Sequence, residues 1–373
     1  MIPVFDIIVL SRIPGIGVSR LRQFISHFRD AELIYKVSPK EIVEVEGFSR
    51  KLATEVAHFL KSSELDAAKK LAEIQLSKIN SVGGRIVTCL DKTYPDLLKK
   101  IYDPPPFLFI RGEFSSNDAY SIAIVGTRTA SDYGVSMAEK FSHEISSRGI
   151  TVISGLARGI DTVAHVSALK AGGRTIAVMG SGLDKIYPPE NRSLAEKIVD
   201  QGVLISECLM GAKPDAVNFP KRNRIVSGMS LGTLIIETDI DGGAMITATT
   251  ALDQNREVFA IPGNIGGKRC RGANLLIKTG RAKLVESFDD IAAELQVKLR
   301  PILTTQPGYE RKPLPEMTLF EQTVFNVLSD VPCQIDAIAD TTKLSISETL
   351  VNLLNLEFKG IIKQLPGKMF IRN

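Results

Sequence analysis

Short apolar runs that alternate with longer helical patterns constrain the fold of residues 84–300 more than any other feature of the sequence. The nine predicted strands are RIVTCL, FLFIRG, SIAIVGT, TVISGL, TIAVMGS, GVLISE, TLIIET, EVFAIPG and a short KLVE. Most are apolar throughout, as strands buried on both faces of a sheet are. The alternation predicts an α/β fold with a doubly wound, mainly parallel sheet. The three prolines before FLFIRG suit an edge strand or an entry loop.

The residues that follow the strands identify the ligand site of such a sheet, because ligands bind beyond the carboxyl ends of parallel strands. Glycines lie close to five of these ends, where they let backbone amides approach an anion. After the strands SIAIVGT and TVISGL, the predicted site residues are Gly126, Thr127, Arg128, Ser154, Gly155, Arg158 and Gly159. This composition predicts that the site binds phosphate groups.

Two common phosphate sites are excluded by the sequence. The chain has no GxxxxGK[ST] P-loop. The stretch GTRTAS lacks the second glycine of a dinucleotide fingerprint, and Arg128 would occupy the space of the pyrophosphate. The next strand ends at Ser154 and not at an acidic residue. We therefore expect no cofactor.

The segment FPKRNR follows the strand GVLISE and combines cations with an aromatic ring. Its predicted binding residues are Phe219, Lys221, Arg222, Asn223 and Arg224. Arginine forks pair with phosphate oxygens, and a ring stacks on an unpaired base. If the segment is a loop at the same edge as Arg128 and Arg158, these groups converge on single-stranded nucleic acid. The alternative is a solvated charge run or a capping cluster at the start of a helix.

Four further residues, Asp161, His165, Glu207 and Glu237, are predicted to support the site. Asp161 and His165 share a helical face, and we expect them to lock the glycine-rich turn, because no GxSxG elbow indicates a hydrolase. Glu207 and Glu237 are placed at the ends of adjacent strands, where we expect ion pairing with the arginines and not acid–base chemistry. The scattered cysteines and histidines predict no metal site.

The flanks of the α/β domain (84–300) differ from it. Residues 1–80 predict a helical domain with two glycine turns, similar to helix-hairpin-helix or SAM-like units; a bundle that only packs is the alternative. A proline-rich linker is predicted at 301–316, and a winged-helix-like domain at 317–373, with a hairpin turn at Pro366–Gly367. Residues 316–373 contain five Lys and Arg against seven Asp and Glu. We therefore expect the third helix of this domain to contact protein and not phosphates.

Composition and charge limit the partners and the cellular location that the sequence allows. The formal net charge of +4 permits a nucleic-acid partner without requiring one. Isolated cysteines fit a reducing cytosol. The first apolar run, Ile7–Leu10, is too short for a leader or a membrane span. We expect a soluble cytoplasmic protein without a membrane partner.

Several motifs occur together in an order that resembles one protein family. They are DKTYPDLLKKIYDPPPFLFIRG, IVGTRTASDYG, SGLARGIDTVAH, YPPENRSL, FPKRNRIVSGMS and GGAMITATTALDQNREVFAIPGNI. This series is similar to the DNA-processing protein A (DprA/Smf) family over residues of about 85–285, and the two flanking domains resemble the modules of that family.

The resemblance implies an extended Rossmann-like domain that binds single-stranded DNA, forms a homodimer and helps to load the recombinase RecA during natural transformation. It implies no enzymatic activity. Family DNA-binding positions correspond to Arg128, Phe219, Lys221, Arg222 and Arg224, and the family's glycine-rich turn to Gly155, Gly159 and Asp161. Residues 242–245 (GGAM) depart from the SGSL of the family, and Gly272-Ala273-Asn274 departs from its GTN.

An enzyme of a different class is the alternative function. Rossmann-like nucleotide phosphoribohydrolases of the lysine-decarboxylase-like group also use glycine-rich turns and an Arg/Glu pair, which would here be Arg128 and Glu237. Their PGGxGT element is missing from the sequence.

Overall fold

A computed structural model describes residues 2–304, 317–329, 332–365 and 367–372. The chain divides into two units, Met1–Leu303 and Thr304–Asn373. Residues 305–316, most of the predicted linker, lie outside the described residues. Within the part that the structure describes, no helix is both long enough and apolar enough to cross a membrane.

The first unit begins with helices. They are α1 (Val4–Leu10), α2 (Val18–Phe28), α3 (Ala31–Ile34), α4 (Pro39–Val43), α5 (Arg50–Phe59) and α6 (Ser63–Ser81). Gly15 and Gly47 have φ of +75° and +84°, a region that favours glycine, and they form the predicted turns before α2 and α5. Arg20 joins the turns by donating to the carbonyl oxygens of Gly15 at 2.9 Å and Gly47 at 3.1 Å.

A sheet of nine strands follows within residues 2–304. The strands are β1 (Arg85–Thr88), β2 (Phe107–Gly112), β3 (Ser121–Gly126), β4 (Thr151–Ser154), β5 (Thr175–Met179), β6 (Val203–Ser206), β7 (Gly232–Ile236), β8 (Glu257–Ala260) and β9 (Lys283–Leu284). Their order in the sheet is β1-β2-β6-β5-β4-β3-β7-β8-β9. The pairs from β6 to β9 are parallel, whereas β2 is antiparallel to both β1 and β6.

This order confirms the doubly wound, mainly parallel sheet and locates its switch point. From β3 the chain continues through β4, β5 and β6 on one side, and then returns to place β7, β8 and β9 on the other. The loops after β3 and β7 therefore diverge, and they leave a crevice at the carboxyl ends of these strands. The three prolines lie in the loop that enters β2, the second of the two predicted alternatives, and the strand at that edge is β1. One expectation was wrong: β6 and β7 are separated by three strands, so Glu207 and Glu237 do not end adjacent strands.

Helices cover both faces of the sheet. They are α7 (Asp96–Lys99), α8 (Asp132–Ser147), α9 (Ile160–Lys170), α10 (Arg192–Gln201), α11 (Asn218–Gly228), α12 (Gly243–Asp253), α13 (Arg271–Lys278), α14 (Phe288–Glu294) and α15 (Gln296–Leu303). One apolar cluster is continuous from Ile8 and Phe24 of the helical segment to Phe109 and Met179 of the sheet. The predicted boundary between residues 80 and 84 thus crosses a shared core, and the division into two domains there stays a prediction.

The second unit has a core of its own. Its elements are α16 (Leu319–Val327), β10 (Cys333–Gln334), α17 (Ile335–Thr342), α18 (Ile346–Phe358), β11 (Ile362–Leu365) and β12 (Met369–Arg372). β12 pairs antiparallel with β10 and β11, which confirms the predicted three helices and hairpin of a winged helix. Pro366 of the predicted turn lies outside the described residues, and Gly367 has φ of +85°. Ser345 and Glu348 form the predicted capping box of α18.

Candidate nucleic-acid interface

A cleft at the carboxyl edge of the sheet brings several predicted site residues together. We call it the arginine cleft. Its lining residues are Arg128, Gly155, Ala157, Arg158, Gly180, Ser181, Tyr187, Pro188 and Phe219. They follow β3, β4 and β5 or belong to α11. About 10 Å³ of space remains inside, room for a single water molecule, so a ligand lies over the cleft and not within it.

Glycine brings the turns after β3 and β4 into close contact. A side chain at Gly126 would collide with the carbonyl oxygen of Ile236 in β7, and one at Gly159 with the backbone of Thr127 and Arg128. The amide of Thr127 donates to the carbonyl oxygen of Glu237 at 2.8 Å, and the amide of Ile160 donates to that of Thr127 at 3.2 Å. These contacts fix the backbone that carries Arg128.

Two arginine side chains lie against two aromatic rings in the cleft. The Cζ atom of Arg128 is 5.2 Å from the ring centroid of Phe219, and that of Arg158 is 5.9 Å from the ring centroid of Tyr187. The two ring centroids are 6.1 Å apart, with an angle of 49° between the planes. Arg128 is exposed and makes no hydrogen bond or ion pair with any described residue. Its guanidinium is therefore available to a ligand.

Arg158 is held by a carboxylate at the rim. It forms an ion pair with Glu190, and both side chains are about half exposed. Their hydrogen bond raises the pKa of Arg158 and lowers the pKa of Glu190 from the ordinary values. Because exposed ion pairs are weak, a phosphate can displace Glu190 at small cost.

The segment FPKRNR forms the first half of α11 and not a loop, which corrects the sequence-based prediction. Pro220 lies in the first turn, where a helix tolerates proline. Because they lie on a helix, the cationic side chains of the segment point in different directions. Lys221 is exposed, whereas Arg222 is only 7% exposed and donates from Nη1 to the carbonyl oxygen of Val178 at 2.9 Å.

Arg222 lies beneath the glycine-rich turn and not on the surface. A side chain at Gly155 would occupy the position of its guanidinium. Burial lowers the pKa of Arg222 and raises that of Asp161, while the charge of each opposes the shift of the other. The carboxylate of Asp161 accepts the amide of Ala157 at 3.3 Å, as expected of a residue that locks the turn. Arg222 thus supports the cleft from below.

Arg224 is occupied by acidic partners. Its Nη2 is 2.6 Å from both carboxylate oxygens of Glu207, and its Nη1 donates to the carbonyl oxygen of Asp103 at 2.7 Å. Burial raises the pKa of Glu207, and the charge of Arg224 opposes this. The predicted pairing of Glu207 with an arginine is present. Asn223 donates to the carbonyl oxygen of Gly243 at 3.5 Å.

Two other predicted site residues do not line the cleft. Ser154 is fully buried and donates to the carbonyl oxygen of Ile124 at 2.6 Å. Among the described residues Glu237 pairs with no arginine, contrary to expectation, because its carboxylate accepts the amide and the hydroxyl of Ser131 at the start of α8. Phe219 is the member of FPKRNR that lines the cleft.

His165 lies a full helical turn beyond Asp161, and its hydrogen bond goes to Thr175 of β5 and not to the glycine-rich turn. Thr175 donates its hydroxyl to the carbonyl oxygen of Val152, so Nδ1–H of His165 donates to Oγ1 of Thr175 at 2.6 Å. The ring is fully buried, and Nε2 has no hydrogen-bond partner among the described residues. Burial, with a contribution from Arg222, lowers the pKa of His165 to about 3.

We expect His165 to make folding stability fall with decreasing pH. Its folded pKa of about 3 lies below the ordinary 6.5, so the unfolded chain binds one more proton between these values. The free energy of unfolding should then drop by about 1.4 kcal/mol per pH unit from this residue below pH 6.5. Urea unfolding of the wild type and His165→Gln at pH 7 and pH 5 measures the effect. Equal pH dependence in the two proteins would contradict it.

The second ring of the cleft, Tyr187, was not predicted from the sequence. Tyr187, Pro188 and Glu190 belong to the motif YPPENRSL, and Gly180 and Ser181 follow the strand TIAVM, but none of these five residues was among the predicted site residues. The available signal was position: the loop after β5 lies beside the loops after β3 and β4 at the same edge of the sheet.

A larger hollow lies in the helical segment, with a volume of about 570 Å³. It is lined by Pro14, Lys51, Thr54, Glu55, His58, Phe59 and Glu64. The single lysine faces two glutamates, so this hollow offers no excess positive charge to a polyanion.

Comparison with known proteins places the chain in a family. The model of the family described as DNA recombination-mediator protein A matches residues 85–296, more than half of the chain. The chain belongs to the DNA recombination-mediator protein A (DprA/Smf) family. The model of the DprA winged helix domain matches residues 310–368. The resemblance inferred from the motifs is confirmed.

Individual relatives extend the match over nearly the whole chain. Protein Smf of Synechocystis sp. is 34% identical over 393 aligned residues, which cover 97% of each chain. The structure of DNA processing protein A from Streptococcus pneumoniae is 31% identical, with a TM-score of 0.66 over 79% of this chain and 98% of that chain. DNA processing protein A from Helicobacter pylori, described for its single-stranded DNA binding mode, is 25% identical, with a TM-score of 0.51 over 57% of this chain and 96% of that chain.

Proposed function

We propose that the arginine cleft binds single-stranded DNA. The observation that carries this proposal is the exposed Arg128 guanidinium against the Phe219 ring, beside the matching pair of Arg158 and Tyr187. The guanidinium groups bind phosphate oxygens, and the rings stack on bases. In a duplex the base faces are already stacked on their neighbours, so this combination selects an unpaired strand. The single-stranded DNA binding mode described for the relative from Helicobacter pylori supports the same function.

The experiment compares single- and double-stranded oligonucleotides. The fluorescence anisotropy of labelled oligo(dT) and of a duplex of equal length is titrated with the full chain at several salt concentrations. We expect tighter binding of the single strand, with a slope of log K against log salt of about −0.7 for each neutralised phosphate. Equal affinity for the two ligands would contradict the proposed function.

The bound strand is then a substrate for recombination. We propose that the protein protects incoming single-stranded DNA and loads RecA onto it during natural transformation, as a homodimer in the cytoplasm. The description of the family as a recombination mediator supports this role. RecA filament growth on DNA covered by a single-strand-binding protein should be faster when the chain is added. Unchanged growth would remove the loading step and leave DNA binding intact.

We propose that the chain is not an enzyme. The rival phosphoribohydrolase needs a carboxylate that faces the ligand beside Arg128. Glu237 is only 5% exposed, and its carboxylate is engaged by Ser131. Incubation with nucleoside monophosphates should release no ribose 5-phosphate, and release above background would overturn this part of the proposal.

A further inference from the structure

The outer face of α18 in the winged-helix unit is apolar and exposed. Leu350, Val351, Leu354 and Phe358 are 40%, 57%, 38% and 87% exposed. With Ser347, the residues Val351, Leu354 and Phe358 recur at spacings of four, three and four, the seam of a helix that packs along another helix. The opposite face, with Leu353 and Leu356, fills the core of the unit.

The charged residues of α18 are engaged within the unit. Glu348 accepts the amide and the hydroxyl of Ser345 in the capping box, and Glu357 accepts the amide of Gln364. Lys359, just after the helix, donates to Glu321 at the start of α16. The seam residues themselves, Ser347, Val351, Leu354 and Phe358, are uncharged.

This face does not fit nucleic acid. A phosphate backbone is held by cations, and the outer face of α18 offers none between Ser347 and Phe358. Residues 316–373 also contain more acidic than basic residues, five Lys and Arg against seven Asp and Glu. The matching surface is uncharged and apolar.

We propose that this face binds the same face of a second copy of the chain, with the two α18 helices antiparallel. A two-fold interface requires each residue to meet its counterpart reciprocally. Around a centre between Asn352 and Leu353, Val351 meets Leu354 of the second copy, and the large Phe358 meets the small Ser347. The seam is thus complementary to itself in both charge and size.

The exposed area is sufficient for such a contact. Together with Ile346, which is 56% exposed, the face offers roughly 500 Å² per copy, on the order of 1,000 Å² for the pair, where specific interfaces begin. The ion pair of Lys359 with Glu321 places the start of α16 beside the C-terminal end of α18. Leu319 and Phe320, which are 82% and 61% exposed, therefore extend the apolar surface at that end. This contact lies outside the α/β domain, through which the family resemblance implies that the homodimer forms.

Disulfide cross-linking of the full chain tests the arrangement. We expect a mixture of Val351→Cys and Leu354→Cys chains to form linked pairs under mild oxidation. Ser347→Cys chains alone should not link, because their copies lie about 16 Å apart along antiparallel helices, beyond the reach of a disulfide of about 7 Å. The wild type gives the background from its own cysteines. Linking of Ser347→Cys, or no linking of the mixture above background, would overturn the proposal.

Sedimentation velocity gives an independent measurement without new thiols. Leu354→Glu buries a charge at the centre of the contact, so we expect it to raise the dissociation constant of one self-association step at least tenfold. Thr341→Glu adds the same charge at an exposed position of α17 and should leave that step unchanged. Identical concentration dependence of the wild type and Leu354→Glu would count against the contact.

Discussion

Replacing Arg128 by alanine is expected to weaken the binding of oligo(dT) by about 10- to 100-fold, the loss that accompanies one strong charge-assisted hydrogen bond. The side chain is exposed and lies over the Phe219 ring, so its removal is expected to delete a phosphate contact and leave the fold intact. Fluorescence anisotropy gives the affinity. The midpoint of urea unfolding, measured in parallel, should not change.

Lys170→Ala is the matched control for this substitution. Lys170 is exposed at the C-terminal end of α9, at the opposite edge of the sheet, and its removal lowers the net charge by the same amount. An equal loss of affinity in both variants would mean that overall charge, and not the arginine cleft, holds the strand. Full affinity in Arg128→Ala would remove the central residue of the proposed site.

Much of the fold is predictable because parallel strands are buried on both faces. β3 and β5 are apolar almost throughout, and their residues have little or no exposed surface. The close approach of backbones at the strand ends is also predictable, because glycine marks it in the sequence. At Gly126 any side chain would collide with the backbone of β7, so the position requires glycine.

The predicted positions of the FPKRNR cations were partly wrong because the segment was assigned to a loop, whereas it belongs to α11. A loop at a sheet edge exposes all of its cations, whereas a helix divides them by angle. Arg222 stands three and four residues before Ile225 and Val226, so on α11 it shares their buried face. A helical interpretation of the segment, with Pro220 in the first turn, would have separated Arg222 from Lys221.

The partners of the acidic residues could not be predicted from the sequence for a different reason. Whether Glu237 meets an arginine or Ser131 depends on strand order, and β6 and β7 are neighbours in sequence but not in the sheet. The contact between Tyr187 and Phe219 likewise joins a loop after β5 to a helix after β6. Single-sequence periodicity predicts elements, but it holds no information on such long-range pairs.

Arg222→Met is expected to lower the free energy of unfolding by about 3–5 kcal/mol, the cost of leaving a buried charge without its compensating partner. Asp161 is 6% exposed, and the positive charge of Arg222 opposes the rise of its pKa that burial causes. Without Arg222 the pKa of Asp161 rises further. A carboxyl group whose pKa is higher in the folded than in the unfolded state makes the free energy of unfolding fall as pH increases. The loss of stability in Arg222→Met should therefore be larger at pH 7 than at pH 5. Urea unfolding at the two pH values measures both effects.

Lys221→Met provides the contrast within the same helix turn. Lys221 is exposed, so its removal should change stability by no more than about 0.5 kcal/mol. If Lys221 contacts one phosphate, its loss reduces the salt slope of oligo(dT) binding by about 0.7. The double variant Arg222→Met/Asp161→Asn should recover part of the stability, because it removes the stranded carboxylate together with the arginine. An Arg222→Met protein as stable as the wild type, with the same deficit at both pH values, would show that the buried arginine does not hold the turn beneath the cleft.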